Sequence, residues 1–194
     1  MNLAVTIALY ALICKEEGKP FKFPGNRRMW ENVADMSAAR NNARFQVFVS
    51  LKGAEVKKEG EEVAMFNIHD GDKVHFMDLW PKIGEYFGVP LPPNTEAFTG
   101  PDPKPGEMSV QVPLSKEMPP KKDIWNSIAT KSNLDTSAFE YATWEFAEFA
   151  TGRTWPDDGD MTRAREAGWD VTVDTWQMWK ETFDKMKELK IIPA

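Results

Sequence analysis

A chain of 194 residues, 42% hydrophobic and 28% charged, is long enough for one ordinary domain or for half of a larger enzyme, and too apolar to be disordered. Its net charge of −6, with no block of basic residues, excludes the positive face that nucleic-acid binding needs. A single cysteine, Cys14, excludes an internal disulfide and fits a reducing, cytoplasmic compartment.

The first element is a helix over about Asn2–Glu16, apolar nearly all round. Its apolar run, Leu3 to Ile13, falls short of the roughly 20 residues that span a bilayer. No Lys or Arg precedes it and no small-residue cleavage site follows, so neither a signal peptide nor a membrane anchor is expected. Such a helix must be covered on more than one side. Gly18 and Pro20 end it. Phe21-Lys22-Phe23 then alternates as a short strand before Pro24-Gly25.

A second helix is expected over about Ser37–Leu51, with Ala39, Ala43, Val47 and Leu51 on one face. The charged stretch Lys57–Glu62 is a solvated turn. Val63–Ile68 is mostly apolar, which suggests a strand buried on both faces. Asp70-Gly71-Asp72 turns the chain into a helix over about Phe76–Phe87, despite Pro81. Between Pro90 and Pro120 lie nine of the fourteen prolines, an irregular excursion that reads as a lid or a surface wrap. Helices follow near 123–130, 136–151, 160–167 and 174–190. The last repeats Trp176, Trp179, Phe183 and Met186 at helical spacing, with Asp174 as N-cap. Two short strands among helices make a poor sheet, and their edges need partners.

Six of the eight Trp lie after residue 120; they build a core or line an apolar pocket. His69 and His75 are six apart across a turn, without His-x-x-x-His, so no metal is expected. Asp157-Asp158-Gly159-Asp160 lacks the alternating ligands of a calcium loop and is read as the cap of the helix near Met161. No Gly-x-Ser-x-Gly occurs, and Cys14 within an apolar helix has a raised pKa. Glu145 and Glu148 are three apart on one helix: an acid–base pair if that face lines a pocket, an acidic surface stripe otherwise. Phe139, Ala142, Phe146 and Phe149 share the other side, as core.

One set of residues carries a family likeness. Met1-Asn2-Leu3, Ile13-Cys14-Lys15, Glu17-Gly18, Phe23-Pro24-Gly25, Trp30, Asp35 and Ser37 begin it. Phe66-Asn67-Ile68 with Asp70-Gly71-Asp72, Leu79-Trp80 and Phe87-Gly88-Val89 continue it. After a gap over 91–122 it returns at Trp125, Trp144, Phe146, Gly152, Met161 and Gly168-Trp169. In this order and spacing the chain resembles the C-terminal part of the progesterone 5-beta-reductase and iridoid synthase-like (PRISE-like) branch of the short-chain dehydrogenases.

The resemblance implies an α/β but predominantly helical fold: a truncated, Rossmann-derived scaffold with a few short strands. It divides a single domain, 1–194, into residual Rossmann-like strands and helices (1–89), the Pro-rich loop or lid (90–122) and a helical substrate-binding part (123–194). It also implies reduction of an enone or enal double bond with NADPH. Trp144, Phe146, Phe149 and Arg153 become pocket candidates, with Ala34 on the opposite wall. The family's glycine-rich cofactor turn and its catalytic Tyr and Lys have no counterpart in these residues, and Arg40-Asn41 replaces an acidic–apolar pair. No cofactor is therefore expected on the lone chain.

Three readings stay open. In the first, the chain is complete, opening at a Met, and promotes a cofactor-free isomerisation or cyclisation of a hydrophobic terpenoid- or polyketide-type molecule by orienting it. In the second it is the substrate-binding half of an NADPH-dependent reductase, and pairs with a cofactor-binding half. In the third it is a binding or regulatory partner without catalysis, docking on a full-length relative or forming a homodimer.

Overall fold

A computed structural model describes residues 2–194; Met1, where the family likeness begins, lies outside the described residues. The chain is organised around its first helix. Helix α1 spans Leu3–Glu16, and Asn2 caps it, its side-chain oxygen accepting from the Val5 N–H at 3.2 Å. Helices α2 (Arg27–Glu31), α3 (Ala39–Lys52) and α4 (Phe76–Phe87) follow. The Pro-rich excursion holds two single turns, α5 (Asn94–Ala97) and α6 (Leu114–Glu117). Helices α7 (Lys122–Lys131), α8 (Trp144–Gly152), α9 (Thr162–Glu166) and α10 (Thr175–Glu188) complete the chain.

Because α1 is apolar on every side, it can be stable only at the centre. It touches α4, α7, α8, α10 and the 3-10 turn Thr136–Tyr141, and Ala8, Leu9, Ala11 and Ile13 are fully buried. The cover that such a helix demands is thus supplied by this chain itself. One core runs from Val5 to Ile192 and includes an aromatic group in which Trp80 stacks on Phe21 at 4.2 Å and meets Phe23 edge-on at 5.2 Å. The Trp80 indole N–H donates to the Phe21 carbonyl at 3.1 Å, so the ring is buried without an orphaned donor.

The expected strands do not form. Phe21 and Phe23 are buried, but that segment's backbone finds Pro90 O (from Phe21 N, 2.7 Å) rather than a neighbouring strand. Residues 63–68 make no backbone–backbone hydrogen bond among the described residues. They are buried on one face, not two: Ala64, Phe66 and Ile68 pack inward while Val63 and Met65 stand 67% and 76% exposed. Two isolated bridges, Val33–His75 and Ala34–Asp157, are the β-pairing among the described residues. The predominantly helical character holds; the few short strands do not.

Two helices also differ from expectation. The 136–151 stretch breaks at Ala142-Thr143, where the Thr143 N–H turns to Thr6 Oγ1 (2.8 Å) and Thr143 Oγ1 accepts from Asn2 N (3.1 Å). Phe139 and Phe149 therefore do not share a helix face. In α3 the buried positions are Asn41 and Phe45, whereas Val47 and Leu51 face solvent. Phe45 joins Met161, Ala164 and Trp169 in a second, small cluster, with Phe45–Trp169 and Phe45–Phe66 edge contacts at 5.4 Å.

The excursion over 90–122 is tied down by its backbone. Pro24 O accepts from Gln111 N and Val112 N, and Gly152 O accepts from Ser109 N. Asn26 caps α2 through its oxygen while its amide nitrogen donates to Ser109 O and Gly152 O. Gly25 permits this approach, since a Cβ there would lie 1.8 Å from Thr151 O. Helix α4 runs through Pro81 and closes on Gly88 in the left-handed conformation, as expected of a glycine cap. Among the described residues no helix is long and apolar enough to cross a membrane.

Candidate functional site

Where the two clusters meet, the packing leaves a cleft of about 1120 Å³. One side is α10 together with the start of α1 and Phe146 of α8; the other is residues 35–38 and the first turns of α3. Its wall is apolar because α10 must bury Trp179, Phe183 and Met186 against the core, which leaves the edges of Trp179 and Met186, with Met178, along the cleft. Across from them Met36 receives the Trp179 indole N–H on its sulfur at 2.9 Å.

Asp70 holds the α3 side in place. Its carboxylate accepts from the Ala38 N–H (2.9 and 3.0 Å) and the Asn41 amide (3.2 Å), and its backbone links Met36 O to Val173 N. Burial pushes the Asp70 carboxyl up, and the Ala38 and Asn41 hydrogen bonds pull it part of the way back. Asp35 lies beside it, accepting from Gly159 N and 3.6 Å from His69 Nε2. His69 accepts the Gly71 N–H on Nδ1 (3.2 Å), so its proton sits on Nε2 and meets Gly159 O at 2.8 Å. His75 is bound separately to Glu31 O, so the two histidines do not converge.

Phe146 lines the cleft. Phe149 stacks outward from it at 6.5 Å and is 46% exposed. The Arg153 guanidinium lies 5.9 Å from the Phe149 ring and bonds Asp157 Oδ2 at 2.8 Å. Asp157 in turn bridges to buried Ala34. Phe146, Phe149 and Arg153 thus follow one another away from the cleft, while Ala34 lies buried behind Asp157. Trp144 stands apart from it, buried against Phe139 in the core.

Glu148 accepts the Ser115 N–H at 2.6 Å and Glu145 is exposed; neither lines the cleft. Burial pushes the Cys14 thiol up to about 11, with Tyr10 beside it also raised, so no nucleophile is poised there. Sequence reasoning missed Met36, Met178, Arg40 and Arg44 as cleft residues, and read Trp179 and Met186 only as a core stripe. A helix stripe does not say which of its edges stays uncovered.

A dinucleotide, which the resemblance implies, needs a free helix N-terminus beside close-approaching glycines. Here Asn2, Asn26 and Asp174 cap α1, α2 and α10, and Asp70 takes the Ala38 N–H ahead of α3. At the start of α3 a carboxylate thus takes the N–H that a phosphate would need, and these four helix starts do not fit a pyrophosphate.

A family profile described as the PRISE-like Rossmann-fold domain matches residues 1–193. An uncharacterized protein of Schizosaccharomyces pombe is 37% identical over all of this chain and 52% of its own length. A short chain dehydrogenase of Penicillium aethiopicum is 31% identical, over all of this chain and 50% of its own. An (S)-8-oxocitronellyl enol synthase of Nepeta cataria is 29% identical, over all of this chain and 45% of its own. The chain spans about half the length of these relatives.

Proposed function

Because the chain belongs to the PRISE-like Rossmann-fold family, we propose that it holds a hydrophobic terpenoid- or polyketide-type molecule of specialised metabolism in the cleft between α1, α3 and α10. The observation that carries this reading is the apolar wall of Met36, Phe146, Met178, Trp179 and Met186 around about 1120 Å³. That is the scale and character of a small-molecule site. Phe146 is the first contact, and Phe149 and Arg153 extend it outward, with Ala34 buried behind Asp157; Trp144 backs α8 from the core. The reaction promoted there is an isomerisation or cyclisation without cofactor. The rate comes from folding a flexible molecule against this wall until its reacting ends meet. Relatives named as an enol synthase and a short chain dehydrogenase support a role in small-molecule chemistry.

A second reading has its own observation. The extended run 63–68, unpaired along its backbone and with Val63 and Met65 exposed, suits a scaffold that pairs with further strands. The chain would then be the substrate-binding half of an NADPH-dependent enone or enal reductase. Incubation with acyclic terpenoid aldehydes separates the two. A product of unchanged mass formed without nucleotide supports the first reading. A product heavier by two hydrogens, formed only with NADPH and a cofactor-binding half, supports the second. No binding and no product would sink both. Phe146→Ala should weaken ligand binding by about tenfold, near what losing one ring contact costs.

A further inference from the structure

The cleft surface is mostly apolar, but charged side chains share its lining. Arg40 and Arg44 are four residues apart on α3, so they rise on the same face, and both line the cleft. Among the described residues neither has a salt-bridge partner. Arg44 is steadied by its guanidinium lying 6.0 Å from the Trp169 ring. Of the two carboxylates that line the cleft, Asp35 takes Gly159 N on Oδ2 and leaves Oδ1 buried without a partner, and Glu181 accepts from Gln177; neither forms an ion pair with Arg40 or Arg44 among the described residues. Lys185, across the cleft, is bound to Glu188 at 2.7 Å. Two guanidiniums without ion-pair partners among the described residues thus line a largely apolar cleft, in a chain whose net charge is −6. The wall they adjoin carries three methionines, Met36, Met178 and Met186. Thioether side chains are unbranched and readjust to the shape placed against them, which favours a flexible ligand over a rigid one.

We propose that the cleft takes a flexible, acyclic apolar molecule ending in one anionic group, a carboxylate or a phosphate monoester. The chain lies on the methionine wall and the anion is held by Arg40 and Arg44. Guanidinium forks match both anions in two-point hydrogen bonding, which a single ammonium cannot do. This inference rests on the cleft being the ligand site and adds the ligand's charge and shape.

The test is isothermal titration of the purified chain with decanoate, decyl phosphate and 1-decanol, each kept below its micelle concentration. At least one anion should bind about tenfold or more tightly than the alcohol, about 1.4 kcal/mol. Which anion binds tighter decides between carboxylate and phosphate. R40Q/R44Q should bind all three alike, with circular dichroism confirming the fold. If the double variant does not fold, R40Q alone serves, because Arg40 is exposed and makes no hydrogen bond within the chain, and it should lose most of the preference. Equal affinity for anion and alcohol in the unaltered chain overturns the proposal while leaving the cleft as a ligand site. So does a preference that survives loss of the arginines. Failure of all three to bind overturns both.

Discussion

The main core and the cluster beneath α3 use the same kinds of side chain but differ in how they are closed. Around α1 five elements converge, and Trp80, Phe21 and Phe23 interlock with the Trp80 indole N–H satisfied. Beneath α3 four buried residues do the work, and the helix shows Val47 and Leu51 to solvent. The Trp169 indole N–H there is buried and finds no partner. Closure on all sides, more than hydrophobicity, separates a core that holds the whole chain from a patch that holds one helix. The cleft has its α1–α10 side on the main core, while its α3 side is held by the Asp70 hydrogen bonds to Ala38 and Asn41.

The largest effect should come from removing the centre of the main core. Trp80→Ala should cost about 3–5 kcal/mol, read from urea unfolding, and lower stability throughout the chain. A loss confined to α4 would break the comparison.

A smaller effect is expected from pH. The native fold holds the Cys14 thiol at about 11, above an ordinary value of 9.0, so folding favours the neutral form. Its contribution is complete below about 9 and is lost as pH rises through the folded value, by roughly 2–3 kcal/mol. Alkaline unfolding curves of the natural chain and Cys14→Ala should differ in slope within that window. Equal slopes would mean that α1 is less enclosed than its packing implies.

The smallest global effect belongs to the second cluster. Trp169→Ala should speed hydrogen exchange across α3 while α1 keeps its protection, with about 1 kcal/mol or less lost from global stability. A loss as large as that of Trp80→Ala would show the two clusters to be one cooperative unit.

What the sequence made legible follows from this difference. The spans of α1, α4 and α10 and the Asp174 cap were readable because local pattern and tertiary packing agree there. The face of α3 was not: its i, i+4 row of Ala39, Ala43, Val47 and Leu51 reads as a core stripe, yet Asn41 is buried because it serves Asp70. The break at Thr143 depends on Thr6, 137 residues away, which no local window contains. The aromatic position Phe146 was reached through family likeness, while the methionines opposite it carry no motif. A cleft is made by what fails to cover a surface, and that is decided only when distant elements are in place.

The enclosure of α1 also has a consequence for synthesis. On a ribosome, α1 leaves the exit tunnel before every helix that covers it, and its contacts to α7, α8 and α10 reach across more than 100 residues. For that interval a helix greasy on all sides lacks the partners that cover it here, which makes it a substrate for chaperones and a nucleus for misassembly. The element at the centre of this packing is made before the helices that cover it and waits for them.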